Sequence, residues 1–332
     1  MRCVFFIILL WLCSPIYSQL GGVHVYNFLN LNTSPRILAL GGYLASGLDD
    51  DINYGIYNPA LIHSMMTNTM SLNYTNYFTD ISYGDVGYCF AINNKQNIVA
   101  SIKFIDYGEF IETNEFGQEL GQFTASEYLF SVGSNKYFLD SALSCGVSTK
   151  ILYSSFYELN SLGVLVDIAA QYKFSRKNVS VNFILKNLGY QVIPYYEGNR
   201  ESLPFEVIFG VSNQLAHMPL RWHLTFQHIE TFDLGYDYTA PISSSTHFGY
   251  KLLQHVVFGG ELLLHQNFTL LFGYNNRKRS EMIIDDRKGM VGFSLGTSFQ
   301  IKRFKFNYSR TLHHFSGPIN SFGIVTNFKK ID

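Results

Sequence analysis

The stretch that decides the fold is VGFSLGTSF, residues 291–299. Every position on one side of it is Gly or Ser, and the other side carries Val291, Phe293, Leu295, Thr297 and Phe299. An alternation of period two is typical of a β-strand with one face against an apolar phase. The same alternation recurs along most of the chain, with few helical patterns between, so the sequence predicts an all-β protein.

The first residues have the composition of an export signal. Arg2 precedes an apolar run from Cys3 to Cys13, and cleavage is predicted after Ser18. The run is well short of the roughly 20 residues that a membrane-spanning helix needs. We therefore expect residues 1–18 to direct export by the Sec pathway and to be removed afterwards.

The composition of the whole chain narrows its class. Hydrophobic residues make up 47% and aromatic residues 16%, yet no later stretch has the length of a spanning helix. Such an exported chain is either a secreted β-sandwich or an outer-membrane barrel. The 23 Tyr and 29 Phe favour the barrel, because aromatic girdles use such residues. A net charge of -1 argues against a nucleic-acid partner.

The alternation from residue 68 onward predicts about fourteen strands. The predicted connections after even-numbered strands are brief, whereas most of those after odd-numbered strands are long, namely 106–124, 188–203, 229–253 and 276–288. Short periplasmic turns and long outer loops distinguish outer-membrane barrels from soluble sandwiches. The sequence therefore predicts a 14-stranded antiparallel transmembrane β-barrel over residues 68–332, in a Gram-negative outer membrane.

Charged residues collect on the predicted inner face of the barrel. They are Asp85, Lys103, Glu127, Lys150, Lys186, Glu206, Glu261, Arg303 and Lys305. A charge facing lipid at mid-depth costs about 2–4 kcal/mol, so these side chains must face inward. Mixed charges inside predict a polar or plugged lumen.

Residues 19–67 differ from the rest and predict a short N-terminal plug with two short helices. Ser34 and Pro35 are a helix-start signal, and Gly41 and Gly42 end that helix. Because this segment comes before the first predicted strand, we expect it to lie inside the barrel and fill the lumen.

A second helix start in the plug is predicted at the triplet Asn58, Pro59 and Ala60. Proline suits the first turn of a helix, so the triplet has a structural role.

Three consecutive carboxylates, Asp49, Asp50 and Asp51, lie between the two predicted helices. Clustered carboxylates can bind a hard cation, but the spacing is not that of a calcium loop. We expect a solvated polar loop of the plug.

Enzymatic motifs are weak in this chain. Gly292-Phe293-Ser294-Leu295-Gly296 matches a nucleophile-elbow pattern, but that elbow needs a strand-to-helix turn and these residues continue a strand. The sequence contains neither His-Glu-x-x-His nor Cys-x-x-Cys. We therefore expect no catalytic residue, no metal site and no cofactor, and the protein is predicted not to be an enzyme.

Three predicted outer loops, 106–124, 188–203 and 229–253, are candidate partner-binding surfaces, since exposed aromatic residues on long loops over a rigid scaffold are typical of such surfaces. The candidates are Glu109, Phe110 and Phe116 in 106–124 and Tyr190, Tyr195 and Tyr196 in 188–203. The alternative is that these aromatic residues belong to a girdle at the membrane interface.

The plug carries a resemblance to a known family. Residues 27–31, 34–42, 50–53 and 57–61 resemble the PorV/PorQ family, and 71–84 is most similar to its PorQ branch. The matching motifs cover about the first quarter of the chain. The family consists of outer-membrane components of the type IX secretion system of Bacteroidetes, related in fold to FadL-type 14-stranded transporters.

The resemblance implies a non-enzymatic protein that docks cell-surface partners through its outer loops. The implied partners are a PorZ-like surface protein, a PorU-like sortase and a PorV-like barrel, with outer-membrane lipid around the wall. The alternative is a FadL-type transporter of hydrophobic small molecules, which requires an apolar path through the lumen.

Overall fold

The computed structural model describes residues 24–93, 96–232, 234, 248–282, 289–314 and 317–328. The predicted signal peptide, its cleavage site and parts of the connections near residues 240 and 285 lie outside these ranges. The predicted segments 19–67 and 68–332 are therefore described from residue 24 to residue 328.

The described residues form a closed barrel of fourteen antiparallel strands, β1 to β14 in chain order. Each strand pairs with its neighbours in sequence, and β1 closes the barrel on β14. The predicted strand number and barrel class are therefore confirmed. The strands are Thr69–Asn76, Ser82–Asn93, Gln96–Thr113, Glu119–Phe138, Leu143–Phe156, Leu159–Phe174, Val179–Ile193, Glu206–Gln214, Leu220–Phe226, Val256–His265, Phe268–Asn275, Phe293–Ile301, Phe304–His314 and Gly317–Asn327.

The two faces of the wall follow the predicted alternation. In β5, Val147 and Ile151 are exposed on the outside, whereas Ser148 and Lys150 are buried inside. The stretch 291–299 alternates in the same way from the start of β12, but Val291 precedes that strand and is buried. The outer face is apolar because it meets lipid.

Short turns gather at one end of the barrel, which is the periplasmic end by the rule for such barrels. The opposite end carries three longer connections, 194–205, 227–255 and 276–292. The predicted long loop 106–124 is wrong, because β3 and β4 continue as a paired hairpin up to the turn at 114–118. This extension carries charged residues on both of its faces, so its sequence does not show the alternation of apolar and polar residues that predicts a strand.

Most of the predicted inner charges do face the lumen, with one exception. Arg303 is exposed in the turn between β12 and β13, since β12 ends at Ile301 and β13 begins at Phe304. The two residues of this turn, 302 and 303, are not paired with a neighbouring strand, so Arg303 does not take part in the alternation of the wall.

The plug contains two α-helices, α1 (Pro35–Ala39) and α2 (Ile52–Tyr57), and short 3-10 turns at Asn27–Asn30, Pro59–Leu61 and Ser64–Met66. Helix α1 lies where the sequence predicts it. The second predicted helix is only the 3-10 turn Pro59–Leu61, while α2 comes from the segment after the three aspartates. Two further helices, α3 (Phe248–Gln254) and α4 (Asn276–Met282), lie in the outer connections. No described helix is both long and apolar enough to cross a bilayer.

The plug fits tightly because small residues face it from the wall. A Cβ on Gly146 would lie 2.3 Å from the backbone of Pro59, and a Cβ on Gly273 would lie 2.2 Å from the backbone of Gly41. Wall and plug backbones are therefore in direct contact at these points. The Gly and Ser residues on the inner side of the strands make room for the plug.

Candidate functional site in the barrel lumen

Gly41 and Gly42 end helix α1 in a conformation that glycine favours. Their φ angles are 100° and 86°. A Cβ on Gly41 would lie 2.5 Å from Val257 in β10, so a side chain there would also clash with the wall. The pair ends α1, and the plug then continues along the wall, where Ser46 donates to the Ser180 carbonyl of β7 at 3.0 Å.

The Asn58-Pro59-Ala60 triplet starts a 3-10 turn inside the barrel. The Asn58 side chain accepts a hydrogen bond from Ala60 N at 3.0 Å and donates to the Ala45 carbonyl at 2.6 Å. It also donates to the Asn182 side chain of β7 at 3.2 Å. The triplet therefore fixes the plug chain to itself and to the wall.

Arg36 of helix α1 is the centre of a buried charged network. Its guanidinium lies 2.5 Å from Asp49, 3.0 Å from Asp51 and 2.6 Å from Glu261 of β10. Arg221 of β9 contacts Asp49 at 2.8 Å and Glu261 at 3.4 Å. We call the set the charged network; it also includes His223, Tyr54 and Lys305.

The predicted solvated loop at the three aspartates is wrong for two of them. Asp51 is buried and caps α2 through a hydrogen bond from Asn53 N, and Asp49 is partly buried between two guanidinium groups. Asp50 alone is exposed. Opposite charges from the wall compensate the cost of burying these carboxylates.

Asp49 and Arg36 of the network keep their charges at neutral pH. Burial alone raises the pKa of the Asp49 carboxyl, but the neighbouring Arg36 and Arg221 outweigh burial and hold that pKa well below its usual range. Burial alone lowers the pKa of Arg36, and Asp49 and Glu261 raise it well above its usual value. The plug and the wall are therefore joined by ionised groups.

Sequence reasoning missed Arg36 as a network residue. A signal was present, because an arginine inside the otherwise apolar segment of α1 must find a partner if the helix is buried. The partner itself was hidden, since Glu261 lies 225 positions away in the chain.

A second set of charges pairs across neighbouring strands. Lys150 of β5 forms an ion pair with Asp167 of β6. Lys186 of β7 lies opposite Glu206 of β8 and places its ammonium 3.6 Å from the centre of the Tyr57 ring. These pairs hold the wall and α2 together near the middle of the lumen.

Apolar side chains from strands β2 to β6 gather in the outer half of the lumen, beside the inward-facing Lys103 and Glu127 of the same strands. We call its buried side chains the apolar lumen cluster: Val25, Tyr26, Phe28, Leu29, Tyr83, Ile105, Leu129, Leu152, Leu165 and Leu203. The wall residues of this cluster point inward, although the sequence analysis predicts polar side chains on the inner face. Consecutive apolar residues such as Ile151-Leu152-Tyr153 could have revealed the cluster, because both faces of the strand are apolar there.

The first described residues of the plug cover this apolar wall. Val25 N donates to the Ser202 carbonyl at 3.1 Å, and His24 lies 2.9 Å from the Ser202 hydroxyl. Tyr26 hydrogen-bonds to Ser161 of β6, and Lys103 of β3 donates to the Phe28 carbonyl at 2.7 Å. The segment is therefore held at the outer mouth by few polar contacts.

The candidate partner-binding residues are spread over the outer end. Glu109 and Phe110 lie in β3, where Phe110 stacks on Phe123 with ring centres 5.2 Å apart. Phe116 is in the hairpin turn and is 87% exposed. Tyr190 is exposed in β7.

Tyr195 and Tyr196 lie in the connection 194–205 but face opposite ways. Tyr196 is exposed, whereas Tyr195 turns into the lumen and donates to Ser154 of β5 at 2.5 Å. Tyr195 also packs 6.3 Å from the Tyr26 ring. Its prediction as an outer docking residue is wrong, because the apolar lumen cluster draws the ring inward.

A groove of about 420 Å³ lies in the lipid-facing wall beside this cluster. Large outward residues, among them Tyr88, Ile102 and Phe130, form its sides. Small residues of continuously paired strands lie at its base: Gly87, Ser101 and Ser131. Inside the barrel, Ile56 of α2 lies against Gly87.

The hydrolase-like pattern at Ser294 lies in the regular strand β12, without a strand-to-helix turn. Among the described residues, no group of three His, Cys, Asp or Glu side chains is placed to hold a metal ion. The carboxylates of the charged network contact guanidinium groups instead.

Comparison with known proteins identifies the fold. No protein-family model matches the chain. No curated protein sequence matches it. Among solved structures, the Pseudomonas putida toluene transporter TodX has a TM-score of 0.53 at 11% identity, covering 93% of this chain and 98% of that chain.

Two other solved structures have the same architecture. The Ralstonia pickettii toluene transporter TbuX has a TM-score of 0.51 at 12% identity, covering 90% of this chain and 98% of that one. A Pseudomonas aeruginosa FadL homologue has a TM-score of 0.50 at 10% identity, covering 89% and 98%.

The chain therefore has the 14-stranded outer-membrane barrel fold of these toluene transporters and of the FadL homologue. That fold places it in the outer membrane. None of these three structures is named as a PorV or PorQ protein, so the resemblance to that family stays a prediction.

Proposed function

We propose that the protein is a passage for hydrophobic small molecules through the outer membrane. The observation that carries the proposal is the apolar lumen cluster, whose wall members come from β2 to β6. The solved structures with this fold that are named as toluene transporters support the same function. Apolar compounds of the size of an aromatic hydrocarbon are the proposed substrates.

The geometry suggests a route for such molecules. The plug segment 24–29 fills the space between the apolar wall residues, and its displacement would leave an apolar site open to the outer mouth.

A substitution in the apolar lumen cluster tests the proposal. Leu152→Asn removes a leucine contact worth about 1.5–3 kcal/mol, so binding of an apolar ligand should weaken roughly tenfold or more. The measurement is titration of the protein in lipid nanodiscs with the apolar fluorophore N-phenyl-naphthylamine, after subtraction of empty nanodiscs.

The matched control is Leu295→Asn, the same change on the lipid face of β12. It should leave the affinity unchanged, because Leu295 does not face the lumen. Equal affinity of the wild type and Leu152→Asn would contradict the assignment of the apolar lumen cluster as a ligand site.

A second candidate function, docking of type IX surface proteins, is favoured by the β3–β4 hairpin. This hairpin extends past its neighbours and exposes Ile111, Phe116 and Leu120 near its tip. Exposed apolar residues on a rigid projection are typical of protein-binding surfaces. The proposed partners are the PorZ-like, PorU-like and PorV-like proteins implied by the plug motifs.

The docking function predicts that Phe116→Ser reduces recovery of a surface partner by about tenfold, as for a loss of one hot-spot side chain. The measurement is affinity purification from native membranes in mild detergent, with quantitative mass spectrometry. Leu139→Ser, at an exposed periplasmic turn, is the matched control. Equal recovery from both variants would rule out the hairpin tip as the docking surface.

A further inference from the structure

The connection between β9 and β10 exposes a compact apolar surface at the outer end of the barrel. Its members, which we call the α3 patch, are exposed apolar residues around one short helix: Ile229, Phe232, Phe248, Tyr250, Leu252 and Leu253. The Phe232 and Phe248 rings stack with centres 5.5 Å apart, so both ends of the connection contribute to one surface. Helix α3 carries a single charged residue, Lys251.

The height of the α3 patch above the strands is fixed by hydrogen bonds. Gln227 N donates to the His255 carbonyl at 2.9 Å, which adds one rung to the β9–β10 ladder. Ile229 N donates to the Val207 carbonyl of β8 at 3.1 Å. Ile229 and Leu253 are each two residues beyond that rung, so the patch begins where the wall ends.

The wall at this point only just covers the apolar layer of a bilayer. Strand β9 has 7 residues, and backbone hydrogen bonds at Pro219 and Gln227 extend its pairing by one residue at each end. At about 3.4 Å per residue and a tilt of about 40°, this stretch rises roughly 23 Å, whereas the outward apolar band of these barrels is about 25 Å tall. On the opposite side, β3 has 18 residues and extends well past the band.

We propose that the α3 patch lies in the outer leaflet of the membrane and completes the lipid-facing belt where the barrel wall is short. The patch continues the outward-facing residues Phe226 and Phe258 at the ends of β9 and β10. The partner is thus outer-leaflet lipid, and the inference is independent of the transported molecule.

The test places a fluorophore on the patch and measures its depth. Leu253→Cys is labelled with bimane in a Cys89→Ala, Cys145→Ala background and reconstituted into liposomes. Two matched positions calibrate the signal: Leu295→Cys on the lipid face of β12, and Phe116→Cys at the hairpin tip. Brominated lipid should quench the Leu253 label to within about twofold of the Leu295 label, as expected for an interfacial helix face.

Aqueous iodide gives the complementary reading. It should quench the label at Phe116 several-fold more strongly than the label at Leu253. If the Leu253 label instead resembles the Phe116 label with both quenchers, the α3 patch faces water and the proposal is overturned. Heat-modifiable migration of each labelled protein on gels establishes that the barrel is folded before quenching is measured.

Discussion

Arg36→Ala should release the plug from the barrel wall. The substitution removes the cation that contacts three carboxylates and leaves Asp51 and Glu261 buried with incomplete compensation. Breaking a buried ion pair from one side costs about 3–5 kcal/mol, which is large beside the net stability of a typical fold. The backbone ladder of the wall does not depend on Arg36, so the barrel itself should stay closed.

The release is measured as pore conductance in planar lipid bilayers. The wild type should be closed or nearly so, and Arg36→Ala should show large, long-lived openings. Proteinase K should also cleave the plug of the variant faster, while the barrel resists. Arg176→Ala, at an exposed periplasmic turn, is the matched control and should behave as the wild type.

A rescue variant separates the charged network from a general packing defect. Arg36→Met with Asp51→Asn removes one charge of each sign and leaves Arg221 to compensate Asp49 and Glu261, a change that is often nearly neutral for buried networks. It should close the pore again. A pore that is equally closed in the wild type and in Arg36→Ala would show that the network does not hold the plug.

Locking the first plug residues to the outer mouth should stop uptake of hydrophobic molecules. His24 and Ser202 form a bridge between neighbouring chain segments, so their Cα atoms are about 5 Å apart, within the range of a disulfide. His24→Cys with Ser202→Cys, in a background without Cys89 and Cys145, should cross-link on oxidation. Segment 24–29 then stays over the apolar wall and the ligand site is closed.

The expected result is a loss of uptake to the level of cells without the protein, with recovery after a membrane-permeable reductant. Each single cysteine variant is a control and should be insensitive to oxidant. Full uptake by a completely cross-linked double variant would show that this segment does not have to move.

The barrel was predictable because its evidence is local and repeated. Alternation such as that around Phe293 and Leu295 recurs in strand after strand, and lipid on one side enforces it. The same pattern did not predict the part of the β3–β4 hairpin that lies beyond residue 106. There the strands leave the membrane, both faces meet water, and residues such as Glu109 and Glu112 no longer need to alternate with apolar ones.

The lumen was harder to predict because its contacts join distant parts of the chain. The plug helix start at Pro35 and the glycines at 41 and 42 are local signals, and the structure has a helix there. The burial of Asp51 depends on Arg36 and on Lys305, which a linear pattern cannot bring together. Tyr195 likewise enters the lumen only because Tyr26 and Ser154 are there to receive it.

The measurement that tests the central claim most directly is the initial rate of uptake of a radiolabelled aromatic hydrocarbon by cells that do or do not express this protein. A host without its own hydrocarbon channels is required, and surface levels of wild type, Leu152→Asn and Leu295→Asn must be equal. We predict faster uptake with the wild type and with Leu295→Asn, and a rate near background with Leu152→Asn. Uptake that is the same with and without the wild-type protein would contradict the proposed passage.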